Sequence, residues 1–280
     1  MNIQTLLNQA TKTLKQLSNT SSKLDSEILL SKIIKKNRKY LILNSNKVIE
    51  KNNIKIFNCL VNRREKNEPI AYLINKKEFW KQNFYVDKNV LIPRPDTEIL
   101  VEETLKLTDK SSSLNILDIG TGSGCILLSI LNERIFFFGT GIDISKNAIN
   151  VANFNAKTLK LRKKVKFYNS NVDNFLIGKY DLILSNPPYI KEQDLECLEK
   201  DVADYEPKIA LDGGEDGFAK ITKVIRGASS LIKKNGRLIL EIGFDQKERT
   251  LKILKNNNFY VNKVCKDYGK NDRCIISTKT

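Results

Sequence analysis

The segment Asn186-Pro187-Pro188-Tyr189 contains the residue types needed to hold a small planar group. It follows the apolar residues 182–184, which predict a buried parallel strand that the two prolines end. The amide oxygen of Asn186 and the carbonyl of Pro187 would be two acceptors beside the ring of Tyr189. Two such acceptors suit a substrate NH2 group, because they can bind both of its hydrogens. The alternative is a tight turn without chemistry, since Asn-Pro and Pro-Pro commonly mark turns.

A second candidate is the glycine-rich segment Gly120-Thr121-Gly122-Ser123-Gly124, where the backbone can approach a ligand closely. It lacks the dinucleotide fingerprint because Cys125 occupies the sixth place, and no Gly-Lys-Ser/Thr follows as in a phosphate-binding loop. Asp143 ends the next predicted strand, about 20 residues on, where a carboxylate can accept both hydroxyls of a ribose. S-adenosylmethionine fits this pattern, since it has a ribose but no pyrophosphate.

The chain contains no histidine, which excludes imidazole bases and histidine metal ligands. Tyr189 would stack on a flat substrate group, with plain packing as the alternative. The five scattered cysteines predict reduced thiols in a cytoplasmic protein, and no metal site is expected.

Strands and helices alternate after residue 113, which predicts a doubly wound, mainly parallel, seven-stranded α/β sheet. The expected strands lie near residues 114–119, 135–142, 165–168, 180–185, 236–242, 259–266 and 274–277. The expected helices lie near residues 125–131, 146–158, 218–232 and 246–257. Asp118 and Glu241, at strand ends, are expected to orient the glycine turn and the neighbouring backbone, with a purely structural role as the alternative. The loop 206–217 is expected to be either a lid over the substrate or an ordinary surface loop.

Residues 1–72 predict a small all-α bundle, with helices near residues 3–17, 25–37 and 48–67. Residues 73–93 are aromatic and β-branched, which indicates a β-hairpin linker. The third region, residues 94–280, is the α/β domain. Its first helix would be capped by Asp96 or Thr97.

Lys and Arg number 48 against 32 Asp and Glu, a formal net charge of +16. This excess is either compositional drift or a basic face for an acidic or RNA-associated partner. No stretch approaches the ~18 apolar residues of a membrane span.

At these motifs the chain resembles the HemK/PrmC methyltransferases, which methylate the side-chain amide of a glutamine in class I peptide-chain release factors. The resemblance spans nearly the whole chain. It is carried by residues 91–98 (Leu-Ile-Pro-Arg-Pro-Asp-Thr-Glu), 118–124, 185–190 and 205–217.

The resemblance implies a Rossmann-like methyltransferase domain whose cofactor, S-adenosylmethionine, is held by Gly120, Thr121, Gly122, Ser123, Gly124, Asp143, Val172 and Asn186. It implies that the glutamine amide is held by Asn186, Pro187, Pro188 and Tyr189. In that reaction Asn186 and the carbonyl of Pro187 would orient the amide nitrogen and stabilise its growing charge. No strong base would be needed, because the nitrogen becomes acidic once it is methylated. Family members often carry an acidic residue and a tryptophan where this chain has Asn171-Val172, so backbone contacts are expected there instead.

The expected partner is a release factor, recognised by the helical bundle, with no membrane and no stable nucleic-acid complex. A monomer is expected. One alternative is an amino-methylase of RNA or DNA, which the positive charge favours. Another is a non-catalytic RNA- or ribosome-associated protein, which the complete set of site residues disfavours.

Overall fold

The computed structural model describes residues 1–15 and 22–280, so Leu17 of the first predicted helix lies outside the described residues. The chain divides into two compact units. One consists of Met1–Lys76 with Glu199–Tyr205, and the other of Lys77–Leu198 with Glu206–Thr280.

The first unit is helical, with α1 Ile3–Leu14, α2 Ser22–Ile34, α3 Arg38–Leu43, α4 Lys51–Glu65, α5 Ile70–Ile74 and α9 Lys200–Ala203. The side chain of Asn2 caps α1 by accepting a hydrogen bond from the Thr5 backbone nitrogen. Buried Ile, Leu, Val and Phe side chains of these helices form one core. An ion pair of 2.8 Å joins buried Arg64 to Asp25. The predicted small helical bundle is therefore present.

The structure corrects the extent of the β-hairpin expected at residues 73–93. Ile70–Ile74 is a short helix, and the hairpin is confined to β1 Lys77–Phe79 and β2 Gln82–Phe84. Residues 90–92 form no strand. Ala71, Tyr72 and Leu73 are all buried, so tertiary packing decides the conformation of this segment over its local propensity.

The second unit contains a seven-stranded sheet with the order β5-β4-β3-β6-β7-β9-β8. Its strands are β3 Asn115–Ile119, β4 Phe138–Asp143, β5 Val165–Asn169, β6 Tyr180–Ser185, β7 Ile232–Glu241, β8 Phe259–Lys266 and β9 Asp272–Lys279. The strands β3 to β7 are parallel, and β9 is antiparallel to both of its neighbours. This confirms the predicted fold class. β4 begins later than expected because a turn closes from Phe137 to the Arg134 carbonyl.

The helices of this unit are α6 Glu98–Leu107, α7 Cys125–Glu133, α8 Lys146–Thr158, α10 Ala219–Leu231 and α11 Lys247–Asn256. Alternate residues of β3 enter opposite cores, since Ile116 belongs to one buried cluster and Leu117 to the other. Both faces of the central strands are therefore covered, as is typical of parallel sheets. Within the described ranges, none of the helices combines the length and apolar character that crossing a bilayer requires.

The strand order reverses between β3 and β6, because the chain continues from β3 to β4 on one side and later adds β6 on the other. A crevice opens at such a point, beyond the carboxyl ends of the strands. Gly120 follows β3 and Asn186 follows β6, so the two predicted motifs meet there.

Candidate active site

A cavity lies at the carboxyl ends of β3, β4 and β6. From the predicted site it is lined by Gly120, Gly122, Asp143, Val172, Asn186, Pro187 and Pro188. Thr121, Ser123, Gly124 and Tyr189 do not line it; the first two are buried, and Gly124 precedes the first turn of α7. The sequence motifs thus divide into residues at the cavity wall and residues behind it.

The glycine turn leaves open space on the cavity side. Gly120 has a φ of +74° and Gly122 a φ of +54°, which L-residues with side chains rarely adopt. A Cβ built on either residue would meet no protein atom within 4 Å. Because both residues line the cavity, a side chain at either position would take up space that a ligand needs.

Asp118 supports this turn from beneath. Its Oδ2 accepts a hydrogen bond of 2.6 Å from the Thr121 hydroxyl, which confirms that Asp118 orients the glycine turn. Burial raises the pKa of Asp118 to about 7, while Thr121 lowers it and the charge of Asp143 raises it further. Its Oδ1 is buried without a hydrogen-bond partner in the described chain. A cationic ligand nearby would therefore favour the ionised form.

Asp143 links the glycine turn to the next strand. Its Oδ2 accepts from the Gly122 backbone nitrogen at 2.9 Å, and its Oδ1 accepts from the Ser145 nitrogen at 2.8 Å. Burial raises the pKa of Asp143, and the hydrogen bonds from Ser145 and Gly122 oppose that rise. Each carboxylate oxygen has room for a further donor. The pair of oxygens can therefore accept the two hydroxyls of a ribose.

Val172 gives the cavity an apolar wall. The Asn171 side chain faces the local backbone, accepting a hydrogen bond of 3.2 Å from the Asp173 nitrogen. Val172 packs so closely over Gly227 that a Cβ on that glycine would lie 2.3 Å from Val172 Cγ2. Asp143 for a ribose, the buried carboxylate of Asp118 for a cationic group and this apolar wall together fit S-adenosylmethionine. Residues 1–15 and 22–280 hold no cluster of three or more potential metal ligands.

Asn186 presents its oxygen, not its nitrogen, as the available group. Its Nδ2 donates a hydrogen bond of 3.0 Å to the Thr97 hydroxyl. Within the described chain, neither Asn186 Oδ1 nor the Pro187 carbonyl accepts a hydrogen bond. Two acceptors on adjacent residues thus remain available at the cavity wall.

Thr97 was missed as a site residue because the sequence suggested only a helix cap. It does stand at the N-cap position of α6, but its side chain makes no capping hydrogen bond. The only sequence signal for its role was its place in the Pro-Arg-Pro-Asp-Thr-Glu segment, 89 residues before Asn186.

Glu241 lies beside the residues that follow β6, and its side-chain hydrogen bond is to the Tyr189 hydroxyl and not to the glycine turn. This placement follows from the register of β6 and β7, in which Ser185 pairs with Leu240. Glu241 Oε1 accepts a hydrogen bond of 3.5 Å from the Tyr189 hydroxyl, which accepts one of 3.4 Å from Arg273. Burial raises the pKa of Glu241 to about 7, while a hydrogen-bonding contact with Thr97 and the charge of Arg273 lower it.

The loop 206–217 is anchored at both of its ends. Glu206 accepts a hydrogen bond of 3.0 Å from the Ile92 nitrogen and forms an ion pair of 2.5 Å with Arg94. At the far end, Gln246 Nε2 donates to the carbonyls of Gly217 and Tyr189, each at 3.1 Å.

The middle of the same loop pairs with the end of the Asn-Pro-Pro-Tyr segment. The Ile190 nitrogen donates to the Leu211 carbonyl at 3.1 Å, and the Gly213 nitrogen donates to the Ile190 carbonyl at 2.8 Å. The loop therefore supports the candidate site, and its residues Pro207, Ile209 and Ala210 line the cavity. Closure of the loop over the substrate stays a prediction.

Comparisons with known proteins agree with this architecture. Residues 5–74 match the PrmC N-terminal domain, and residues 110–277 match a methyltransferase domain. The release factor glutamine methyltransferase of Clostridium acetobutylicum is 38% identical over 282 residues, covering 100% of this chain and 99% of the relative. The namesake from Buchnera aphidicola subsp. Baizongia pistaciae is 38% identical over 279 residues, covering 100% of both chains.

Among solved structures, a methyltransferase from Pyrococcus furiosus superimposes with a TM-score of 0.52 at 19% identity. The match covers 78% of this chain and 98% of that one. At this identity the likeness shows the fold alone.

Proposed function

The chain belongs to the family of the release factor glutamine methyltransferases, and we propose that it methylates the side-chain amide nitrogen of a glutamine in class I peptide-chain release factors. S-adenosylmethionine is its cofactor. One observation carries the proposal for the substrate. Asn186 Oδ1 and the Pro187 carbonyl are available acceptors on adjacent residues, as a primary amide with two N–H groups requires.

The cofactor would be held by the glycine turn, Asp143 and Val172, with Asp118 beneath the turn. When bound, S-adenosylmethionine supplies an electrophilic methyl group. An amide nitrogen is a poor nucleophile because its lone pair is delocalised into the carbonyl. Asn186 and Pro187 would accept both N–H groups, turn that lone pair toward the methyl group and stabilise the positive charge that develops on nitrogen.

Pro188 belongs to the proposed amide-binding site, and Tyr189 lies behind the cavity wall, packed against one of the two cores of the sheet. Pro188 lines the cavity, while the Tyr189 hydroxyl is held between Glu241 and Arg273. Burial raises the pKa of Tyr189 to about 12, so its hydroxyl keeps its proton at physiological pH. The proton on the methylated nitrogen can leave for water, because no strong base is needed once that nitrogen carries positive charge.

We assign residues 1–72 to substrate recognition, 73–93 to a linker and 94–280 to catalysis. The match of residues 5–74 to the PrmC N-terminal domain supports the first assignment. We also propose a cytoplasmic monomer that forms no stable nucleic-acid complex. All five cysteines are free thiols in the structure, which fits a reducing compartment.

The test is a competition for the methyl group. Purified protein would be incubated with labelled S-adenosylmethionine and, in separate reactions, with a release factor, total RNA or DNA. The proposal predicts label on a glutamine of the release factor and little on either nucleic acid. Label in RNA or DNA, with none in the release factor, would instead identify an amino-methylase of nucleic acid.

A further inference from the structure

We infer that Thr97 is a positioning residue that, together with Glu241, holds the Asn186 amide with its oxygen toward the substrate. The inference rests on the proposed function, because it concerns how the acceptor for the substrate amide is oriented. The side chain of an asparagine is nearly symmetric in shape. If it turned over, Asn186 would present its NH2 to a substrate NH2, and two donors would face each other.

The first element of this device is the contact between Thr97 and Asn186. Thr97 is 3% exposed and ends the single turn Pro95–Thr97 that precedes α6. Its hydroxyl oxygen lies 3.0 Å from Asn186 Nδ2. A hydroxyl can accept from one partner and donate to another, so this contact alone does not fix which amide atom faces the cavity.

Glu241 determines to which partner the Thr97 hydroxyl donates its hydrogen. It is 2% exposed and lies beside the Asn-Pro-Pro-Tyr segment at the end of β7. An ionised carboxylate can only accept, so a hydroxyl in contact with it must donate to it. The Thr97 oxygen is then left to accept from the Asn186 NH2, which turns Asn186 Oδ1 to the substrate.

Glu241 Oε2 is buried without a hydrogen-bond partner in the described chain, so it is an acceptor that still needs a donor. The interaction with the Thr97 hydroxyl lowers the pKa of the Glu241 carboxyl, as a hydroxyl that donates to it would. The other oxygen, Oε1, accepts from the Tyr189 hydroxyl. The buried carboxyl of Glu241 therefore interacts with Thr97, which holds Asn186, and with Tyr189 itself.

The decisive comparison is between Thr97→Val, which keeps the branched shape but removes the hydroxyl, and Thr97→Ser, which keeps the hydroxyl. We expect Thr97→Val to lower kcat on the release factor about 10- to 100-fold, the scale of misplacing a reacting group. The KM for release factor and the Kd for S-adenosylmethionine should change less than about threefold, because no ligand contact is removed. Thr97→Ser should keep kcat within about threefold of the unaltered protein.

A matched control is Thr104→Val. Thr104 is also a fully buried threonine, but its hydroxyl donates to the Leu100 carbonyl inside α6 at 2.7 Å, away from the motif. Its replacement should leave kcat unchanged at equal folded fraction, measured by circular dichroism. Should Thr97→Val fail to fold, Thr97→Ala is a second variant without the hydroxyl.

Glu241→Gln tests whether Glu241 forces the Thr97 hydroxyl to donate to it, because a glutamine side chain can donate as well as accept. We expect it to lower kcat and to weaken any rise of kcat through about pH 7, where Glu241 ionises. The titratable groups that interact electrostatically with Glu241 are Asp96, Cys125, Tyr189, Arg273 and Cys274.

The inference is overturned if Thr97→Val keeps kcat within about twofold, or if Thr97→Ser is as slow as Thr97→Val. Failure of the proposed function looks different, because the unaltered protein would then not label the release factor. If the protein labels an amino group of RNA or DNA instead, the kcat values of Thr97→Val and Thr97→Ser measured with that nucleic acid still decide the role of Thr97.

Discussion

At the scale of single residues, the candidate site works through the pairing of acceptors and donors. Asp143 already accepts backbone hydrogen bonds on both oxygens and still has capacity for two hydroxyls. Asp143→Ala should therefore weaken S-adenosylmethionine binding by about 1–3 kcal/mol, the scale of lost hydrogen bonds to a charged group.

Gly122→Val should abolish cofactor binding, because the valine side chain would enter the cavity from a strained backbone. Calorimetry that finds unchanged affinity in both would contradict the assigned cofactor site.

The raised pKa of Asp118 predicts a pH dependence of cofactor binding. The carboxyl is protonated in the free protein below about pH 7, and a cationic cofactor favours its ionised form. Affinity should therefore rise about tenfold from pH 6 to pH 8, and Asp118→Asn should remove that rise. Glu241→Gln is the control that should keep it. A rise that persists in Asp118→Asn would assign the titration to another group.

The same carboxyl affects the stability of the free protein. Because its pKa is raised from 3.8 to about 7, the folded chain holds this proton more tightly than the unfolded chain. The contribution of Asp118 to the free energy of unfolding therefore falls as pH rises from about 4 to 7 and is constant above. Asp118→Asn should raise Tm relative to the unaltered protein at pH 8, and this advantage should vanish near pH 4. A Tm difference that does not change with pH would contradict this account.

At the scale of elements, the site depends on the loop 206–217 as a support. Gly213 passes so close to the motif that a Cβ there would lie 2.8 Å from the backbone Cα and carbonyl carbon of Tyr189. Gly213→Ala should therefore displace the Asn-Pro-Pro-Tyr turn and lower kcat at least tenfold, while the Kd of the cofactor changes little. Gly269→Ala is a matched control, since its Cβ would meet only side-chain atoms at 3.1 Å or more. Equal kcat in both variants would show that the loop does not support the turn.

The elements also show what the sequence can and cannot reveal. Alternating strands and helices predicted the sheet, because buried parallel strands leave strong apolar runs such as residues 182–184. The short helix Ile70–Ile74 was missed because tertiary burial decided it. The sequence did not connect Thr97 to Asn186, because the two residues are 89 positions apart. It did not connect Glu241 to this segment either, because their proximity follows from the register of β6 and β7.

At the scale of the whole molecule, the excess positive charge has two competing explanations, a partner surface or compositional drift. Lys51 and Lys55 are exposed on α4 of the helical unit, and Lys163 and Lys166 are exposed in the catalytic unit. If the helical unit binds the partner, Lys51→Glu with Lys55→Glu should raise the KM for release factor about threefold or more at low salt. The kcat should stay the same. Lys163→Glu with Lys166→Glu should change neither constant, and equal effects of the two pairs would favour drift.

The most direct test of the central claim is Asn186→Ala, measured by transfer of labelled methyl from S-adenosylmethionine to release factor. Asn186 lies beyond the end of β6 and its side chain contacts Thr97, so the variant should fold and still bind the cofactor. Loss of one oriented acceptor should lower kcat about 10²- to 10³-fold. Asn186→Asp keeps an acceptor but adds a negative charge that favours the cationic cofactor over the neutral product, so it should also be slow. A kcat for folded Asn186→Ala within about twofold of the unaltered protein would contradict the amide-holding role of this segment.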